Sequence, residues 1–136
     1  MKNFIILALL VLFFSCNSEK TEVNNNIKKI VRKGAVIKIK PDKLAFYKKL
    51  HANPWKEVND KLKECNIQNY SIYYGGGYLF SYFEYTGEKW QEDMEKLAAD
   101  STIQAWWQLT DPCQEPVEFA KDDEWWADME ELYHLN

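Results

Sequence analysis

The stretch GAVIKIKP alternates apolar and polar residues up to a proline, which predicts a first strand over Gly34 to Lys40. Pro41-Asp42 then opens a helix, with Asp42 as the expected N-cap. Leu44, Tyr47, His51, Trp55, Val58 and Leu62 follow at steps of three and four, one face of a helix. Pro54 removes a backbone donor and should break or kink that helix near Asn53. NYSIYY predicts a second strand, Gly75 to Gly77 a tight turn where positive φ costs little, and YLFSYFEY a third strand, so that strands two and three form a hairpin. A second helix is expected from Gly87 to Asp100 and a short one over STIQAWWQL, with Ser101 as its cap. DPCQEP reads as a loop and EELYHL as the last strand, with helix as the alternative for Asp123 to Glu131.

That order is β-α-β-β-α-β, an α+β, ferredoxin-like unit with helices on one face of an antiparallel sheet. Both faces need cover, because neither alternating set of the hairpin is cleanly polar, the one with Glu84 included. Tyr70, Ile72 and Tyr74 alternate with Ser71 and Tyr73, and Tyr78, Phe80 and Tyr82 alternate with Leu79, Ser81, Phe83 and Tyr85. A second subunit or a ligand pocket would supply that cover.

The beginning of the chain follows another pattern. Lys2 precedes the apolar run FIILALLVLFF, which is too short for a permanent membrane span and ends at Ser15-Cys16. A small residue before a cysteine in this setting resembles a bacterial lipoprotein signal. Residues 1–15 then form a signal peptide and Cys16 is the lipidated new terminus; ordinary cleavage near Ser15 is the alternative. The polar, Asn-rich residues 16–33 read as a tether, and residues 34–136 as the folded domain. The protein is thus expected to be exported and held at the bacterial envelope, touching membrane only through a lipid anchor. With Cys16 set aside, Cys65 and Cys113 remain, paired or as separate buried thiols. A length of 136 residues favours one domain, and a net charge of −4 provides no footprint for nucleic acid. Lysines crowd Lys28 to Lys49 and acids crowd Asp111 to Glu131, which reads as two solvated faces.

Candidate chemistry is sparse. There are two histidines, His51 and His134, and no CxxC or metal-ligand spacing. His51 shares a helical face with Tyr47 and Trp55, so it is either part of the core stripe or an acid–base group. His134, beside Tyr133 near the end, reads as structural. Two adjacent tryptophan pairs, Trp106-Trp107 and Trp125-Trp126, suit a sugar, since indole faces stack on the C–H face of a pyranose. Tyr47, His51, Asn69 and Tyr70 are candidate partners for its hydroxyls. Neighbouring residues of one helix cannot both point inward, so at least one of Trp106 and Trp107 should line a pocket, an interface or a lid.

Taken together, FYKKLHANPWKEV, NIQNYSIYY, YLFSYFEY, AWWQLTD and MEELYHLN resemble the bacterial L-rhamnose mutarotases, over about Ala35 to Leu135. The resemblance implies a dimeric ferredoxin-like α/β barrel and exchange of sugar anomers with no metal or cofactor. It implies that His51 is the proton donor, that Tyr47 and Tyr70 bind substrate, and that Trp106 and Trp107 contact the sugar. Trp125-Trp126 has no counterpart in those motifs and is expected to shape a lid or subunit contact. Lys56 stands where the family often has proline, and the segment from Asp111 to Glu124 departs from the family pattern. The small-molecule sugar therefore stays open between L-rhamnose, L-fucose and a related 6-deoxy hexose. A sugar-binding lipoprotein without turnover, and a haem-binding barrel protein with His51 as axial ligand, are the alternatives.

Overall fold

The computed structural model describes residues 29–135; the signal-like segment, Cys16 and the tether up to residue 28 lie outside the described residues. The elements are β1 (Val31–Ile39), α1 (Leu44–Ala52), α2 (Lys56–Glu64), β2 (Ile67–Gly75), β3 (Tyr78–Tyr85), α3 (Trp90–Ala98), α4 (Ser101–Thr110), β4 (Gln114–Glu115) and β5 (Ala127–Met129). No helix among the described residues is long and apolar enough to cross a membrane.

The sheet runs β2-β3-β1-β4, with β5 also pairing β1, and every pairing is antiparallel. The α+β, ferredoxin-like reading holds. β2 and β3 form the expected hairpin through Gly76 and Gly77, whose φ values of 59° and 89° suit glycine. The break at Pro54 is also present: α1 ends at Ala52 and α2 begins at Lys56. Ala35, Ile37 and Ile39 on β1, and Leu79, Ser81 and Tyr85 on β3, are buried on the helix side of the sheet. Behind them lie two clusters. One joins Val58, Cys65, Ile67, Leu97, Ile103 and Trp106; the other joins Ile37, Ile39, Tyr47, Leu79 and Cys113. Cys65 and Cys113 are both free thiols, one in each cluster, where burial makes them small hydrophobic fillers.

Several boundaries differ from the sequence reading. β1 starts at Val31, so Val31 to Lys33, read as tether, are paired with Tyr85 to Phe83 in the sheet. Asp42 does not cap α1: Lys43 holds the N-cap position, without a side-chain bond. Asp100 rather than Ser101 caps α4, its Oδ1 accepting from the amides of Thr102 and Ile103 at 2.9 and 3.1 Å. A carboxylate at this end also complements the helix dipole, which the Ser101 hydroxyl would not. The helix expected from Gly87 spans only Trp90–Ala98. The last strand is Ala127–Met129, not EELYHL. Its pairing stops at Gly34↔Met129, after which Glu131 reaches Arg32 through two side-chain bonds of 2.6 and 2.8 Å. Leu132, Tyr133 and Leu135 beyond it are largely exposed.

Candidate active site

A cavity of about 480 Å³ opens between the sheet and helices α1 and α4, roofed by the segment leading into β5. Its walls bring together all five residues singled out for catalysis and sugar contact: Tyr47, His51, Tyr70, Trp106 and Trp107. The cavity size is of the order expected for small-molecule sites.

The first two residues arrive together because they are four apart on α1. Their rings stack, with centroids 4.1 Å apart and planes at 26°. The His51 Nδ1–H donates to the Tyr47 carbonyl at 3.0 Å. A carbonyl only accepts, so the proton of neutral His51 sits on Nδ1 and the lone pair on Nε2. Burial lowers the His51 pKa below its usual 6.5, outweighing the hydrogen bond to Tyr47, which acts the other way. The ring is therefore neutral at neutral pH. Trp106 closes it from the side, edge-on at 5.3 Å, and itself meets Trp55 at 5.4 Å.

Tyr70 reaches the site through a bulge. Gln68 opposes Glu84 and Ser71 opposes Tyr82, so Asn69 and Tyr70 together face Phe83. Asn69 absorbs the irregularity with φ of 49°. A regular register would send Tyr70 to the outer face; the extra residue turns it inward, its ring 5.4 Å from Phe83. Asn69 itself is turned away. Its amide donates to Glu84 at 2.6 Å on the exposed side, so the expectation that it serves a sugar hydroxyl fails. His134 is exposed and does not line this cavity.

Tyr47 is buried, and its hydroxyl is held strongly in the neutral form by burial and by the nearby Tyr70 hydroxyl. Burial likewise raises the Tyr70 hydroxyl. Both phenols thus remain donors. The Gln114 amide donates to the Tyr47 oxygen at 3.3 Å, and the Trp125 indole N–H donates to the Gln114 oxygen at 3.1 Å.

Several cavity residues escaped the sequence reading: Ser81, Thr110, Asp111, Gln114 and Asp128; Trp125 and Trp126, expected at a lid or subunit contact, line it as well. Burial pushes the Asp111 carboxyl above its ordinary value, with a smaller opposing effect from Thr110. Only the position of Asp111 directly after α4 hinted at it. Gln114 and Asp128 had no signal, since their partners are distant in sequence. Past His51, Trp106 and Trp107 the space continues into an apolar chamber of about 550 Å³, walled by Val58, Leu62, Met94 and Leu97. His51 thus stands between a space of mixed lining and a more apolar one.

A sequence model of L-rhamnose mutarotase matches residues 32–135. The L-rhamnose mutarotase of Oceanobacillus iheyensis is 32% identical over 107 residues, which cover 77% of this chain and 98% of that protein. That of Mannheimia succiniciproducens is 35% identical over 80 residues, 57% of this chain and 74% of that protein. In fold, the chain is similar to the crystal structure of an L-rhamnose mutarotase from Formosa agariphila, with a TM-score of 0.61 at 20% identity, covering 78% of this chain and 99% of that one. It is also similar to the tetracenomycin F2 cyclase of Streptomyces glaucescens, with a TM-score of 0.57 at 14% identity, covering 78% and 97%. With the family's model running through all but the first residue of the sheet and both walls of the cavity, the chain belongs to the L-rhamnose mutarotase family, isomerases that exchange the anomers of a sugar.

Proposed function

We propose that this protein interconverts the α and β anomers of a 6-deoxy hexose, L-rhamnose or L-fucose, with His51 and Tyr47 as the acid–base pair. The observation that carries the reading is the His51 ring itself. It is neutral, its Nδ1 proton is committed to a backbone carbonyl, and it stands in a cavity walled by indoles and phenols. His51, expected as proton donor, is the base in the opening direction and the donor in the closing one: its Nε2 lone pair takes the proton of the anomeric hydroxyl. The C1–O1 bond becomes a carbonyl as the C1–O5 bond breaks, and its electron pair goes to O5, which receives the Tyr47 phenolic proton. The aldehyde turns about C1–C2 and closes on its other face, with both protons returning. A positioned acid or base of this kind typically contributes ~10²–10⁴-fold. Tyr70, Trp106 and Trp107 hold the ring, and Asp111 and Asp128 are placed to accept from its hydroxyls. The adjoining apolar chamber favours a sugar ending in a methyl group over one ending in hydroxymethyl.

Anomer exchange measured by saturation-transfer NMR over a panel of 6-deoxy sugars tests the reading. His51→Ala should abolish exchange with the fold intact by circular dichroism, while His134→Ala retains it. Exchange by His51→Ala at the wild-type rate defeats the assignment, and tight sugar binding without exchange returns the non-catalytic alternative.

We also propose a homodimer. Tyr73, Phe80 and Phe119 are exposed, as are Leu132, Tyr133 and Leu135. So much uncovered apolar surface suits a second copy. Light scattering should return twice the protomer mass, and a monodisperse monomer at micromolar concentration would exclude it. Export and lipidation at Cys16 are proposed from the first residues alone, and mass spectrometry of native protein should find an acylated N-terminus there; retention of residues 1–15 counts against it.

A further inference from the structure

We propose that Gln114 and Trp125 form a positioning relay that aims the Tyr47 hydroxyl proton into the cavity. The inference rests on the mutarotase reading above and deepens it. An indole N–H can only donate, so the Gln114 atom 3.1 Å from Trp125 Nε1 must be the amide oxygen. That decides the amide orientation and places its NH₂ toward Tyr47, 3.3 Å from the phenol oxygen. The phenol oxygen is thereby an acceptor on its Gln114 side. Its own proton must point elsewhere, and the open direction is the cavity that Tyr47, His51 and Tyr70 share. The relay is rigid. Gln114 is only 3% exposed and its backbone is paired with Ile39 in the sheet. An N–H aimed at the phenol oxygen also stabilises the charge that develops there as the proton leaves for the sugar ring oxygen. Trp125 acquires a purpose in this arrangement, although the pair it belongs to has no counterpart in the family motifs.

Two substitutions separate positioning from packing. Gln114→Glu replaces the N–H donor by an acceptor, so the Tyr47 proton turns toward the new carboxylate and away from the sugar. Trp125→Phe keeps an aromatic ring but removes the indole donor, freeing the amide to flip. The expected result is a kcat loss of roughly 10–100-fold for Gln114→Glu and of roughly 3–10-fold for Trp125→Phe, a share of what a positioned acid contributes. KM for L-rhamnose should move less than about threefold for Gln114→Glu, since the interaction concerns the transition state. Loss confined to KM, or kcat unchanged in a folded variant, overturns the relay. If Gln114→Glu does not fold, Trp125→Phe decides alone. A reading without sugar keeps the two proposals apart. NMR of isotope-labelled tyrosine, with the Tyr47 ring-carbon signal assigned by Tyr47→Phe, should show that signal shifting in both variants. An unmoved signal overturns the relay even if the protein exchanges anomers. A shifted signal in a protein that exchanges none supports the relay and overturns the mutarotase reading instead.

Discussion

The two tryptophan pairs use one device on two different supports. Trp106 and Trp107 ride on α4, where successive side chains are turned by about 100°. Trp106 is 7% exposed and enters the Val58, Leu97 and Ile103 cluster, whereas Trp107 is 38% exposed at the cavity mouth. Trp125 and Trp126 stand on an irregular segment leading into the short β5. Trp126 packs half-buried against the Ile37, Tyr47 and Leu79 cluster, whereas Trp125 is 43% exposed and spends its N–H on Gln114. In each pair one indole anchors the wall to a core and its neighbour faces the cavity. The first pair braces His51 and the second braces Tyr47, so the two halves of the proposed acid–base pair have separate supports. All four line the same cavity, the first pair from α4 and the second from the segment that roofs it.

The largest effect that tests this comparison is on stability. Trp106→Ala should cost about 3–5 kcal/mol, the usual range for a buried tryptophan, and should take exchange activity with it. Trp126→Ala, half-buried on a less regular support, should cost roughly 2 kcal/mol. Urea denaturation measures both, and equal losses would break the distinction between the supports. Trp107→Ala sharpens the contrast within one pair. It should raise KM about tenfold at nearly constant kcat, with stability changed by less than about 1 kcal/mol. A stability loss matching that of Trp106→Ala would show that exposure misjudges its role.

The smallest effect is on pH. Burial holds His51 below 6.5, so the acid limb of kcat/KM should also lie below 6.5. Trp106→Leu wets the ring and should move that limb up toward 6.5; Trp126→Leu, on the other support, should leave it in place. A limb at or above 6.5 in the wild type contradicts the neutral, buried ring. Stability has the same sign. A lowered folded-state pKa means that the unfolded chain takes up the proton first. The His51 contribution is thus lost as pH falls below 6.5 toward the folded-state value.

Much of the site was legible because it is local. Tyr47 and His51 share a helix face at a spacing of four, and Pro54 separates α1 from α2 whatever surrounds it. Gly76 and Gly77 make a tight turn for reasons confined to the turn. The failures share the opposite character. Asp42 has good cap chemistry but stands one residue outside the N-cap of α1, and Asp100, the cap of α4, also pairs with Lys61 of α2 at 3.2 Å, a contact no local pattern shows. EELYHL has strand composition, yet β1 offers β5 partners only at Gly34 to Val36.

Residue types and their short-range spacing determined the element order, the hairpin, the helix break and the Tyr47–His51 pair, since steric and hydrogen-bonding preferences act over a few residues. Only the tertiary structure decided which aromatic set faces the helices. A period of two labels two faces without saying which is inside, and the bulge at Asn69 moves Tyr70 from one to the other. It alone also brought Gln114 to Tyr47, 67 positions away, because a hydrogen bond depends on distance in space and leaves no spacing to read along the chain.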